Sequence, residues 1–130
     1  MSEKNVELAH QVMNALGERD PEGLVSLADR DVEWHSVFAL GGVYRGHDGT
    51  RQYMSDLDDA WEVGRADVDD WLAIGDLVVL VGRLHYRGRG SGVESETATG
   101  WVLEFRGGRI IRFRAFRDPE PALAAVGLSE

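Results

Sequence analysis

The sequence predicts an α+β fold in which amphipathic helices cover one face of a strongly curved, mostly antiparallel sheet and enclose an apolar pocket. Apolar residues recur at every third or fourth position in much of the first half of the chain, which is the period of a helix face. From Asp67 onward they alternate with polar residues, as they do along strands. Glycine-rich turns divide that second half, and consecutive strands joined by short turns form an antiparallel meander.

Two helices are predicted at the start of the chain. Apolar residues at helical spacing run from Val6 to Leu16, which predicts an amphipathic helix over about 3–17. Asp20 followed by Pro21 is typical of an N-cap and the first position of a helix, so a second, short helix is expected directly after it.

A strand and a third helix are predicted next. The segment 31–38 has β-forming residues at alternate positions, so Trp34 and His35 are expected on opposite faces of a strand. Helical spacing then returns in an apolar stripe from Tyr53 to Trp61, which predicts the third helix.

Four strands and a closing helix complete the predicted fold. The period of two places the strands at about 67–74, 77–87, 94–106 and 109–117. Asp118 and Pro119 repeat the pattern of a cap followed by proline, so a short C-terminal helix is expected. Three helices must then cover one face of a long twisted sheet, and the space between them is where small-molecule sites tend to form.

Composition limits the classes of function. A chain of 130 residues has the usual size of one domain, so 1–130 is expected to fold as a single unit. The absence of cysteine excludes disulfides, thiolate metal sites and a cysteine nucleophile, and it fits a cytoplasmic protein. The net charge of −9 disfavours nucleic acid and anionic membranes as partners. The N-terminal segment has no apolar stretch typical of a signal peptide or a membrane span.

Several short motifs, each a turn, a cap or a strand start, carry a resemblance to a known family. They are Glu18-Arg19-Asp20, the DVEWH segment 31–35, Tyr44-Arg45-Gly46, Ile74-Gly75-Asp76 and Gly107-Gly108-Arg109-Ile110. In order and spacing they resemble the SnoaL-like branch of the nuclear transport factor 2-like superfamily. The resemblance implies a cone-shaped α+β barrel, with a sheet wrapped around N-terminal helices over a deep apolar pocket, and a homodimer formed through the outer face of the sheet. The run 77–81, apolar on both faces of its strand, needs such cover.

Function does not transfer with this fold, because the superfamily includes polyketide cyclases, ketosteroid isomerases, epoxide hydrolases, dehydratases and proteins without catalysis. The ketosteroid isomerase pattern requires an aspartate base, a tyrosine and a protonated acid at positions that here align with Ser36, Val12 and Trp101. Steroid isomerisation by that mechanism is therefore not expected. The cyclase pattern uses a pocket carboxylate, and the nearest such residue, Asp118, is also the expected cap of the last helix.

His35 is the candidate catalytic residue. Histidine titrates near neutral pH, and this one lies on the first strand near the expected pocket mouth, where it would act as a general base. The alternative is that His35 faces away from the pocket and forms hydrogen bonds at the dimer interface. His85 has the same two interpretations, whereas His10 and His47 look like surface or capping residues. No metal-site spacing and no phosphate-binding glycine loop is present, so neither a metal nor a cofactor is expected.

Ligand-binding residues are predicted among the aromatic residues and at the strand ends. Trp34, Tyr53 and Trp101 are expected to line the cavity and contact the ligand. Ser36 is placed to hold a water molecule, and Arg117 to bind an anionic or carbonyl group at the pocket mouth.

The sequence thus predicts a pocket protein for a small apolar or aromatic molecule. Whether it is an enzyme stays open: the alternatives are an isomerase, cyclase or hydrolase, and a non-catalytic ligand-binding or dimerisation module. A polar group buried in the pocket with a strongly perturbed pKa would favour the enzyme, and purely apolar walls would favour the binding module.

Overall fold

The computed structural model of the protein describes residues 2–36 and 42–125. The helices are α1 (Ser2–Gly17), α2 (Pro21–Leu27), α3 (Gly46–Ala60) and α4 (Pro119–Ala125). The strands are β1 (Ala28–Ser36), β2 (Val43–Arg45), β3 (Trp61–Ile74), β4 (Leu77–Gly88), β5 (Glu94–Arg106) and β6 (Arg109–Phe116). None of the helices among these residues is long and apolar enough to cross a lipid bilayer.

The six strands form one curled sheet in the order β2-β1-β6-β5-β4-β3. All neighbouring pairs are antiparallel except β1 and β6, which run parallel. The long meander from β3 to β6 arises because short turns join these strands, and the parallel contact of β6 adds β1 and β2 at its far edge. The predicted α+β class, with a mostly antiparallel sheet, N-terminal helices and a short C-terminal helix, is confirmed.

Helices cover the two faces of the sheet unequally. On the concave face α3 packs chiefly against β1 and α1 against β3, over a core that includes the fully buried Trp34, Leu80 and Phe113. On the outer face α4 packs mainly against β5, where Val102 and Ala122 are fully buried. The second, smaller core arises because α4 returns to the opposite side of the sheet after β6.

Two strand starts differ from the sequence prediction, and the short strand β2 was not predicted. β3 begins at Trp61 rather than near Asp67, so Trp61 is the first residue of a strand and not the last of a helical stripe. Its first half is ordered by pairing with β4, in which Trp61 lies opposite Gly88. β1 likewise begins at Ala28, directly after α2. These segments become strands because a distant partner completes their hydrogen bonds, which local periodicity does not record.

Candidate functional site

A cavity of about 540 Å³ lies between the helices and the concave face of the sheet. α1 and α3 form one side of it, and strands β3 to β6 form the other. Six aromatic side chains line it: Tyr53, Trp61, Trp71, Tyr86, Trp101 and Phe113. Alternation along the strands explains this wall, because every second residue points to the concave face.

The aromatic rings are held by contacts with one another. Trp61 packs edge-on against Tyr86, with ring centroids 4.7 Å apart and an interplanar angle of 69°. The imidazole of His10, on α1, stacks on the indole of Trp71 at 3.6 Å and 19°. Such contacts stabilise ring orientation beyond simple burial, so the wall presents planar surfaces in defined positions.

Two arginines tie the rim of the cavity to the end of α3. Nη2 of Arg19 donates to the carbonyl oxygen of Trp61 at 2.6 Å, and the same guanidinium pairs with the Asp58 carboxylate. Nε of Arg89 donates to the carbonyl oxygen of Asp58 at 2.8 Å. These carbonyls lie at the C-terminus of a helix, where they lack intrahelical partners, so the arginines satisfy them and hold the neighbouring turns in place.

The sequence of these elements matches the profile of a known family. The profile of the SnoaL-like domain matches residues 9–113, which include the second half of α1, all of α3 and most of the strands around the cavity. The chain belongs to the SnoaL-like domain family. The resemblance drawn from its turns and caps is therefore confirmed.

Solved structures share the fold of this SnoaL-like domain at low sequence identity. A nuclear transport factor 2-like protein of unknown function from Burkholderia pseudomallei is 20% identical, with a TM-score of 0.80 over 95% of this chain and 98% of that chain. TerC, co-crystallised with polyporic acid, is 23% identical, with a TM-score of 0.78 over 96% and 97%. A protein with a ketosteroid isomerase-like fold from Catenulispora acidiphila, in complex with trimethylamine, is 19% identical, with a TM-score of 0.77 over 94% and 93%. At these identities the likeness shows the fold alone, and no curated protein matches the chain.

Two of the residues predicted to bind a ligand line the cavity of this SnoaL-like domain. Tyr53 and Trp101 are each 3% exposed and face it from α3 and β5. Trp34 lies behind them rather than on the wall: its Nε1 donates to Oγ1 of Thr50 at 2.7 Å, and its ring lies 5.5 Å from that of Tyr53. Trp34 therefore positions α3 and supports Tyr53, while the ligand-binding role of Tyr53 and Trp101 stays a prediction.

The predicted catalytic histidine lies on the other side of the sheet. Nε2 of His35 is 2.9 Å from Oε1 of Glu33, and this pair shares the face of β1 opposite to the fully buried Trp34. The hydrogen bond to His35, with Arg45 and Arg112 nearby, lowers the pKa of Glu33 below its usual 4.5. His35 is not among the residues that line the cavity, so the cavity geometry lends its catalytic role no support.

The two remaining predicted residues lie at strand ends. Arg117 is exposed, directly after β6, and is not among the residues that line the cavity. Ser36 ends β1, and its side chain falls outside the described part of the structure. The ligand-binding roles of both residues stay predictions.

His10 is a cavity residue that sequence reasoning missed. It was interpreted as a surface residue at the border of the α1 apolar face; it is exposed, as expected, and it also lines the cavity together with Met13, Asn14 and Gly17. The available signal was spacing, since positions three, four and seven apart lie on one helix face. The direction of that face toward Trp71 follows only from the packing of α1 on β3.

Proposed function

We propose that the cavity of this SnoaL-like domain binds a small apolar or aromatic molecule. One observation carries this proposal: six aromatic side chains surround a space of about 540 Å³. Small-molecule sites are concave, mostly apolar and typically roughly 300–1,000 Å³ in volume, with a few polar groups that orient the ligand. An aromatic lining that includes Trp101 favours a ligand with a ring system, which can pack against it, over a flexible chain.

Ligands of proteins with the same fold agree with a binding role. TerC was crystallised with polyporic acid, and the protein from Catenulispora acidiphila forms a complex with trimethylamine. Both share the fold over more than nine-tenths of this chain. Small-molecule ligands in proteins of this fold therefore support a binding role for this cavity.

Binding without catalysis is the function that the lining supports best. Among the described residues that line the cavity, the side chains that could act as a base are Glu18 and His10, and both are exposed. Proton abstraction in an apolar pocket requires a base held close to the substrate, with its pKa tuned by burial or by a neighbouring charge. His35, the catalytic residue predicted for a cyclase, isomerase or hydrolase, lies on the opposite face of the sheet.

Isothermal titration calorimetry with 2-methylnaphthalene tests this function. We expect saturable binding to the wild-type protein and about tenfold weaker binding to Trp101→Leu, because the variant loses one aromatic wall of the cavity. Phe116→Leu is the matched control, because Phe116 packs in the small core under α4 and does not line the cavity. The Phe116→Leu variant should bind 2-methylnaphthalene as tightly as the wild type does. Failure of the wild type to bind 2-methylnaphthalene and related two- and three-ring aromatic compounds, with or without a polar substituent, would rule the cavity out as a site for aromatic ligands.

We also propose that two copies associate through the outer face of the sheet. Leu72, on β3, is 38% exposed and lies on this face opposite Val79, and the partly buried Ile74 and Leu77 form the next pair on the same face. Apolar side chains left partly open on a sheet face favour cover by a second molecule. The area beside them is not covered by α4, which packs mainly on β5.

A further inference from the structure

His10 is exposed at the rim of the cavity, where its side chain stacks on the aromatic wall. Its imidazole lies flat on the indole of Trp71, with ring centroids 3.6 Å apart. In residues 2–36 and 42–125, neither ring nitrogen of His10 has a hydrogen-bond partner. Because the nitrogens lie on the edge of the ring, stacking leaves both of them available to a molecule in the cavity.

Two further polar side chains continue from His10 along the same side of α1. Asn14 and Glu18 follow at intervals of four residues, so the three residues lie in a row along one side of α1. Glu18 is the first residue after the helix. Both line the cavity, and neither side chain has a hydrogen bond or ion pair with any residue that the structure describes. We call His10, Asn14 and Glu18 the polar edge of the cavity.

The charged groups near the polar edge decide which ligand it fits. Arg19, the nearest lining cation in sequence, is occupied by the Asp58 carboxylate and the Trp61 carbonyl oxygen. Arg65 is paired with Asp67. A ligand carboxylate would therefore meet Glu18 without a free guanidinium to neutralise it, whereas a hydroxyl group can donate to an imidazole nitrogen, an amide oxygen or a carboxylate.

We propose that the polar edge is the hydrogen-bonding subsite of the cavity, and that His10 accepts a hydrogen bond from the hydroxyl group of a neutral aromatic ligand. The aromatic wall holds the ring system, and the polar edge orients it. This subsite rests on the binding function proposed above and specifies the ligand class: hydroxylated aromatic compounds in preference to the corresponding hydrocarbons and carboxylates.

Paired ligands of one shape test this subsite by calorimetry. 2-Naphthol and 2-methylnaphthalene differ by a hydroxyl in place of a methyl group, so the ratio of their affinities measures the hydrogen bond. We expect the wild type to prefer 2-naphthol by about fivefold, the size expected for one neutral hydrogen bond. His10→Phe keeps a ring on Trp71 but lacks the nitrogens, so it should bind both compounds equally. Since the ratio is taken within one variant, a partly unfolded sample lowers both affinities without changing it.

Two more variants complete the design. His35→Phe removes a histidine from the opposite face of the sheet and should keep the full preference for 2-naphthol. Glu18→Gln should improve binding of 2-naphthoate relative to 2-naphthol, because it removes the carboxylate that opposes the ligand charge. Equal affinity of the wild type for 2-naphthol and 2-methylnaphthalene, or an unchanged preference in His10→Phe, would overturn the subsite and leave the binding function standing. Absence of binding for all three compounds would overturn both.

Discussion

Glu33 lies at the centre of a charged group on the outer face of the sheet. Its carboxylate is 2.9 Å from Nε2 of His35, 3.5 Å from Nε of Arg45 and 3.8 Å from Nε of Arg112. Arg112 also donates to Glu104 on β5. The group therefore connects four neighbouring strands of the sheet: β2, β1, β6 and β5. The hydrogen bond to His35 is the main reason that the pKa of Glu33 is lowered.

This lowered pKa predicts how stability responds to acid. A carboxyl group whose pKa is lower in the folded than in the unfolded state stabilises the fold above its unfolded pKa, here about 4.5, and loses that contribution as the pH falls through the folded value. Glu33→Gln should therefore lose less stability than the wild type on acidification below pH 4.5, by under about 1 kcal/mol because the side chain is partly exposed. Urea unfolding at pH 7 and at several lower pH values measures the difference.

Glu94→Gln provides the control for that measurement. Glu94 is exposed at the start of β5 and has no ion pair with any residue in the described part of the chain. Its substitution should leave the pH dependence of unfolding close to that of the wild type. If Glu33→Gln and Glu94→Gln show the same pH dependence of the free energy of unfolding, the lowered pKa of Glu33 does not contribute to the acid dependence of stability.

At the scale of elements, the close packing of α4 on the sheet requires a glycine at position 100 in β5. A Cβ atom at Gly100 would lie 2.6 Å from Cβ of Ala122 and 2.9 Å from Cα of Pro119. Both contacts are closer than van der Waals distances allow, and the second is with backbone that cannot rotate away. Gly100 therefore lets the helix lie directly on the sheet and bury Val102.

Gly100→Ala should loosen α4 from the sheet. We expect a loss of about 1–3 kcal/mol in the free energy of unfolding, the range for overpacking a close contact. Gly64→Ala is the matched control, since Gly64 also lies in a strand and a Cβ there meets no atom within 4 Å. Urea unfolding of the two variants measures the contrast, and equal stability would show that α4 adapts without cost.

At the scale of the whole molecule, the proposed dimer determines whether the outer face of the sheet is exposed in solution. We expect sedimentation equilibrium at micromolar concentration to give twice the mass of one chain. Leu72→Glu should shift the equilibrium toward the monomer, because it places a charge where an apolar residue is covered. Val93→Glu alters an exposed apolar residue at the β4–β5 turn and should leave the dimer intact. A strictly monomeric wild-type protein would contradict the association.

Local patterns predicted most of the elements because the signals that define them are short in range. Asp20 illustrates this: its carboxylate accepts a hydrogen bond from the backbone N–H of Gly23, the N-cap expected from the Asp-Pro pair. Asp118 likewise accepts from the backbone N–H of Glu120 at the start of α4. The first half of β3 was missed because its pairing with β4 is a long-range contact.

The sequence by itself determined the order of the helices and of every strand except β2, the α+β class and the family, since periodicity, caps and glycine turns all act within a few residues. It also separated Trp34 from His35, because adjacent strand residues face opposite ways. Only the tertiary structure decided which face is concave and which side chains meet there. His10 and Trp71 are 61 positions apart and come into contact because α1 packs on β3. A register shift between Val68 and Asp70 further changes which β3 residues face inward, and such a shift depends on the partner strand rather than on local sequence.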